Sequence, residues 1–218
     1  MTEDRSLELS GDPLRALIEA ATERLLQHVA SLPRQPAADT EGGEDLARSL
    51  RERLPETGRP LAELLDLLFE RVIPKSFNTA GPGYLAYIPG GGLPHAAVAD
   101  LISGITNRYV GVFAAAPGVV ALEANVVRWL CEMVGYPEDA GGILTSGGSL
   151  SNFSALVAAR SERLPEDFLS GTLYVSDQAH YSLEKAARLA GFPQASVRRI
   201  PSDGAFRIRL ELLRESIA

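Results

Sequence analysis

Residues 141–160 read GGILTSGGSLSNFSALVAAR, and the fold turns on how this stretch divides. Ile143-Leu144-Thr145 is a short apolar run ending in a β-branched residue. Ser146 to Asn152 are small or turn-forming except for Leu150, and the residues through Arg160 and on to Glu162 have helical character. Strand, tight turn and helix in that order form one step of an α/β layer. The glycines let the backbone turn sharply and approach a ligand closely. A helix that starts here presents free N–H groups and a partial positive charge, which suits a phosphate. Ser149 adds a hydroxyl donor. No Gly-Lys-Ser/Thr follows, so this is not a Walker A loop, and the spacing is not the dinucleotide fingerprint G-x-G-x-x-G. Taken alone, the turn is also what any strand-to-helix junction needing small residues would contain.

The alternation continues downstream. Thr172 to Ser176 and Ser196 to Ile200 read as strands, Ser182 to Ala190 as a helix, and Ile208 to Ile217 as a last helix. With Ile143–Thr145 this predicts three strands in a mainly parallel sheet, fewer than such sheets usually carry, so the sheet is expected to be incomplete. Between the last two strands lies SDQAHYSLEK, residues 176–185. It places His180 beyond the carboxyl end of a strand, where open α/β folds bind ligands. An imidazole there can stack on a flat ring or shuttle a proton. His28 reads as part of an amphipathic helix and His95 as a helix-opening residue.

Upstream the pattern is helical. Asp12-Pro13 reads as an N-cap followed by proline at the first helical position. Leu14, Leu17, Ile18, Ala21, Leu25 and Val29 then recur at helical spacing as far as Ser31. A loop over 33–45, a short helix over 44–54 and another over 60–72 complete a helical extension. Residues 74–95 form a glycine- and proline-rich loop carrying Tyr84, Leu85, Tyr87 and Ile88, a length that is usually functional. Helices over 94–106 and 117–134 follow. The division this suggests is 1–92, a helical extension with the glycine-rich loop, and 93–218, the α/β part.

Composition narrows the function classes. The 218 residues carry a net charge of −7 and a pI of about 5.1. No basic stripe is present to replace phosphate counterions, so nucleic acid is not an expected partner. No segment approaches the ~18 consecutive apolar residues of a membrane span. No cationic start leads into an apolar stretch, and the single cysteine, Cys131, forms no internal disulfide. A cytoplasmic protein is expected. No metal-ligand spacing stands out.

Five blocks together carry a resemblance. GYLAYIPGGGLPHAAVADLISG, AAAPGVVALEANVVRWLCEMVGYP, GGILTSGGSLSNFSALVAAR, LYVSDQAHYSLEKAA and RIPSDGAFRI resemble, in the right order, the group II pyridoxal-phosphate-dependent amino-acid decarboxylases. The likeness runs from about Phe77 to Ala218. It implies the N-terminal part of a type I, aminotransferase-like large domain with a helical extension, and a homodimer. It also implies pyridoxal 5'-phosphate as cofactor and an amino acid as substrate. By position in that pattern Gly148 and Ser149 hold the cofactor phosphate, and His180 stacks on its ring as the catalytic histidine. Tyr84, Leu85 and Gly90 line the substrate loop, and Tyr109 enters the pocket of the opposite subunit. Some relatives carry threonine where this chain has Gly90, so a grip on the substrate carboxylate does not transfer.

The chemistry asks for four things: a dianion site, a flat wall, a lysine to carry the cofactor, and a carboxylate for the pyridinium nitrogen. The turn and His180 supply the first two. The lysines are Lys75 and Lys185 only, and neither matches the family's Asn-Pro-His-Lys type motif. Asp177 and Asp203 do not match its Asp-Ala type motif. The expectation is therefore an N-terminal portion of a decarboxylase, inactive alone, needing a second copy or a complementing C-terminal half. The competing readings are another type I enzyme such as an aminotransferase or related lyase, a degenerate fragment serving as a dimerisation module, and a phosphate-binding module for some other nucleotide.

Overall fold

The computed structural model describes residues 9–88 and 90–218; the first eight residues and Pro89 of the glycine-rich loop lie outside the described residues. The chain divides into two packed units, Met1–Asn107 and Arg108–Ala218. The first therefore takes in the helix over 94–106 that the division by composition at 92/93 assigned to the second part.

The first unit is helical. Helix α1 covers Asp12–Ser31. Gly11, at φ 61°, precedes it with no side-chain cap, so Asp12 is the first helical residue and not the N-cap its sequence position suggested. Pro13 sits in the first turn, where its missing N–H costs nothing. A short α2 covers Gly43–Ser49 and α3 covers Leu61–Asp66, continuing as a π-turn over Leu67–Val72 and a 3-10 turn over Ile73–Lys75. Packing of α1 on this continuous run is fixed by Arg24, which pairs with Asp66 and with Glu70 at 3.1 Å. The edge of His28 meets the Phe69 ring at 5.9 Å. Lys75 pairs with Asp39 at 2.9 Å, beside a bridge between Ala38 and Phe77. Helix α4, Pro94–Thr106, ends where Asn107 turns left-handed at φ 41°.

The second unit begins with α5, Pro117–Met133, and holds the α/β layer. Helix α6 covers Gly148–Arg163, β1 Leu173–Ser176, α7 Ser182–Leu189, β2 Val197–Ile200 and α8 Leu210–Ile217. β1 and β2 pair in parallel with Leu173 opposite Val197 and Ser176 opposite Ile200, which makes β1–α7–β2 a crossover unit. The third expected strand does not form. Ile143–Thr145 has no ladder partner among the described residues, and without one an extended segment is not a strand. The sheet is two-stranded and incomplete.

The core sits between α6, α7 and this sheet. Ala187, Ala190 and Phe192 are buried, and Phe153, Leu156, Val157, Leu164, Phe168, Leu173 and Val197 pack on them. Phe168 and Phe192 meet edge to face at 5.0 Å, and the Arg160 guanidinium lies 4.5 Å over Phe168. Helix α7 ends in a Schellman motif: Phe192 N–H donates to Ala187 O at 3.0 Å and Gly191 N–H to Arg188 O at 3.1 Å. Gly191, at φ 91°, supplies the left-handed residue that this motif needs, and a Cβ there would lie 3.2 Å from Phe168.

Elsewhere the chain is open. Helices α1 to α5 bury no side chain. The exposed surface is 17618 Å². A folded 23.3 kDa monomer exposes roughly 9,700 Å², and two independent units of half that mass roughly 11,700 Å². The excess is apolar along α4 and α5, where Ile102, Leu122, Trp129 and Met133 are all more than half exposed. No helix among the described residues is long and apolar enough to cross a membrane.

Candidate functional site

The small-residue turn is part of a helix. α6 begins at Gly148, four residues before the helix expected from sequence, so Gly148 and Ser149 form its first turn. Gly147 is the cap residue, and its carbonyl accepts from Leu150 N–H at 3.0 Å and Ser151 N–H at 3.1 Å. The amides of Gly148 and Ser149 precede these and have no intrahelical acceptor, as the geometry of a helix start requires. Thr145 braces the turn from below: its hydroxyl lies 3.2 Å from Gly147 O and 2.6 Å from the Ser151 hydroxyl. A Cβ placed on Gly147 or Gly148 would meet nothing within 4 Å, so the space above both is open. Two free amides, the exposed Ser149 hydroxyl and a helix N-terminus facing open space fit a phosphate.

His180 follows β1 and opens α7. Its Nδ1 lies 2.8 Å from the Ser182 hydroxyl, and Ser182 N–H donates to the same nitrogen at 3.2 Å. Ser182 is only 2% exposed. Its hydroxyl also receives a hydrogen bond from Asn152 Nδ2 at 2.8 Å. Asn152 stands one helical turn after Gly148 on α6, on the same side of the helix. The phosphate-type turn and the histidine are therefore joined by two side chains, Asn152 and Ser182, across the α6–α7 contact. The Tyr181 ring lies beside the imidazole at 4.4 Å, tilted by 36°. A flat imidazole that is itself exposed fits an aromatic cofactor ring.

Asn152 and Ser182 were not among the residues singled out from sequence. Both lay inside the quoted motifs, but their meeting depends on α6 packing against α7, which spacing along the chain does not encode.

The carboxyl ends of β1 and β2 are tied together nearby. Ser176 and Ser202 hydroxyls are 2.9 Å apart, Ser202 donates to Asp177 at 2.6 Å, and Asp177 N–H donates to Ile200 O at 3.0 Å. Hydrogen bonding from Ser202 holds the Asp177 carboxyl below its ordinary value, against a smaller opposing effect of desolvation. Asp203 is lowered too, chiefly by the backbone N–H groups of Arg207 and Ala205. Both carboxylates are thus used to shape strand ends.

The remaining candidates are placed as follows. Tyr109, in the second unit, is exposed, with its ring folded over Gly111, where a Cβ would sit 3.0 Å from it. Tyr84, in the first unit, is half-buried against Phe77 at 6.0 Å. Leu85 is 94% exposed, and Gly90 has open space around it. Tyr87 stacks on Phe77 at 6.3 Å from a left-handed backbone at φ 58°. Lys75 is engaged with Asp39 in the first unit, and Lys185 stands exposed on α7. The residues present thus fit the phosphate and the ring face of pyridoxal phosphate. They do not include a lysine in either place. No group of acidic, histidine or cysteine side chains among the described residues is arranged to hold a metal ion.

Known proteins resemble this chain along most of its length. Residues 44–218 match the family profile described as the pyridoxal-dependent decarboxylase conserved domain. An aromatic-L-amino-acid decarboxylase of Bacillus atrophaeus is 32% identical over 97% of this chain and 44% of its own length. The human cysteine sulfinic acid decarboxylase is 29% identical over 89% of this chain and 42% of its own. The crystal structure of Oryza sativa TDC with PLP superposes with a TM-score of 0.85 at 25% identity, over 97% of this chain and 49% of that one. The chain spans less than half the length of these relatives, and its fold is correspondingly part of theirs. It belongs to the pyridoxal-dependent decarboxylase family.

Proposed function

We propose that this chain forms the phosphate-binding and ring-facing side of a pyridoxal 5'-phosphate site in an amino-acid decarboxylase. The observation that carries the proposal is the connection from Asn152, one turn into the helix that starts at Gly148, through Ser182 to His180. It ties an open helix N-terminus to a flat imidazole, two of the parts this cofactor needs. When bound, the cofactor supplies the electron sink for the bond that breaks as carbon dioxide leaves an amino acid.

Within this reading Gly148 and Ser149 donate to the phosphate through their free amides and the serine hydroxyl, and the helix dipole favours the dianion. His180 lays its imidazole against the ring. Tyr84, Leu85 and Gly90 belong to the substrate loop, and Tyr109 to a pocket shared with a second copy. The functional division at 92/93, with the loop on the substrate side and the α/β part on the cofactor side, belongs to the same proposal. So does a cytoplasmic homodimer, whose association would cover part of the apolar surface of α4 and α5.

The chain by itself is proposed to be inactive. Lys75 is committed to Asp39 within the first unit and Lys185 lies exposed on α7, and neither sits in the family's Asn-Pro-His-Lys type motif. Titration of the isotopically labelled 218-residue chain with pyridoxal phosphate tests both halves. The amide resonances of Gly148 and Ser149 should move, and Ser149→Asp, which sets a like charge against the phosphate, should abolish the movement. Carbon dioxide release from aromatic and acidic amino acids should stay at background. Unmoved amides would overturn the site, and release above background would overturn the inactivity.

A further inference from the structure

The bonds around His180 have a direction, and that direction fixes which nitrogen carries the proton. The donor that settles it is a backbone group. Ser182 N–H has no alternative role as an acceptor, and it points at His180 Nδ1 at 3.2 Å. Nδ1 must therefore offer a lone pair, and the proton of the neutral ring resides on Nε2. The Ser182 hydroxyl, 2.8 Å from the same nitrogen, must then donate to it as well. With its hydroxyl proton directed at the ring, Ser182 Oγ accepts from Asn152 Nδ2 at 2.8 Å. This ordering also fixes the Asn152 amide: with its oxygen turned to Ser182, the serine proton would be drawn away from the ring. The relay runs one way, Asn152 N–H to Ser182 Oγ–H to His180 Nδ1.

We infer that Asn152 and Ser182 are positioning residues that lock His180 in its Nε2–H tautomer. The inference rests on the site reading above for its functional meaning but not for its geometry. Ser182 is buried and its one hydroxyl proton is engaged by the ring, so this link of the relay is shielded from competing water. Nε2 has no partner among the described residues. The imidazole therefore brings to the site a flat face and one N–H donor, and no free lone pair. In this resting form it can stack on a ring and donate to an anionic oxygen. It cannot take up a proton at Nε2 as a base, because that nitrogen already carries one. Of the two capacities expected for His180, stacking is open to this form, while proton acceptance at the outward Nε2 is not.

The tautomer can be read directly in the labelled 218-residue chain, without cofactor, by long-range proton–nitrogen correlation of the imidazole well above the ordinary histidine pKa. Nδ1 should resonate as an unprotonated nitrogen and Nε2 as a protonated one, with the full separation of a single tautomer. Ser182→Ala should shrink that separation toward the mixture found for histidine in an unstructured peptide. Asn152→Ala should shrink it less, and Ser182→Thr, which keeps the hydroxyl, should restore it. Backbone amide spectra of the variants check that the fold is kept; should Ser182→Ala unfold, Asn152→Ala at its half-exposed position carries the test. A proton on Nδ1, a mixture in the unmodified chain, or a separation indifferent to both alanine variants would overturn the inference. Pyridoxal phosphate added to the same sample separates the two readings. Unmoved Gly148 and Ser149 amides with a locked ring would defeat the cofactor site alone, and moved amides with an unlocked ring would defeat the relay alone.

Discussion

Helices α5 and α7 belong to the same packed unit and differ in a way that their sequences invert. α5, PGVVALEANVVRWLCEM, is much the more apolar, yet it buries no side chain. α7, SLEKAARL, is half polar or charged and buries Ser182, Ala186 and Ala187. The difference lies in neighbours. α7 has α6 on one side and the β1–β2 pair beneath it, and its small residues let both approach closely. α5 carries Leu122, Trp129 and Met133 into open space. Hydrophobicity says that a surface must be covered, while burial requires that the covering element be at hand.

The sharpest way to break this comparison is to cut the same kind of mass from each region. Phe192→Ala empties the α6–α7 core and should cost about 3–5 kcal/mol in urea unfolding followed by circular dichroism. Trp129→Ala, from the half-exposed face of α5, should change stability by no more than about 0.5 kcal/mol. Equal losses would mean that α5 is packed after all. A smaller effect is expected at the end of α7. Gly191→Ala forces a Cβ into a left-handed backbone 3.2 Å from Phe168 and should cost about 1–2 kcal/mol in the same assay. The smallest concerns the strand ends. The folded Asp177 carboxyl titrates below its ordinary value of 3.8, so its contribution to stability is complete above that value and is lost as pH falls through the lower, folded one. Ser202→Ala should raise the carboxyl resonance midpoint of Asp177 toward 3.8 in an NMR titration and narrow the difference between mild and acidic pH. An unmoved midpoint would show that the Ser202 bond is not the cause.

What could be read along the chain follows the same line. Helical spacing located α1, α4 and α5 because each depends on local periodicity and on proline at its start. The β1–α7–β2 crossover was legible as two short strand-like runs rich in β-branched and aromatic residues flanking a helix-forming segment. Ile143–Thr145 misled because a strand is defined by its partner, and local composition does not report one. The site divided similarly. Gly148, Ser149 and His180 could be named from their motifs and from family likeness. Asn152 and Ser182, which join them, arise only when two helices thirty residues apart in sequence come together.

The residues of the α6–α7 core lie in one continuous stretch, from Phe153 to Val197, with no contribution from the N-terminal helices. Such a block closes only short loops as it forms, so its entropy of assembly is modest and its folding should be quick. On a ribosome adding about 5–20 residues per second, the exposed helices α4 and α5 emerge before it, apolar and uncovered. The cradle for the phosphate would thus be shaped early, while the surface made ahead of it waits for shelter. For this chain α4 and α5 are thus apolar surface that is exposed from an early point in synthesis.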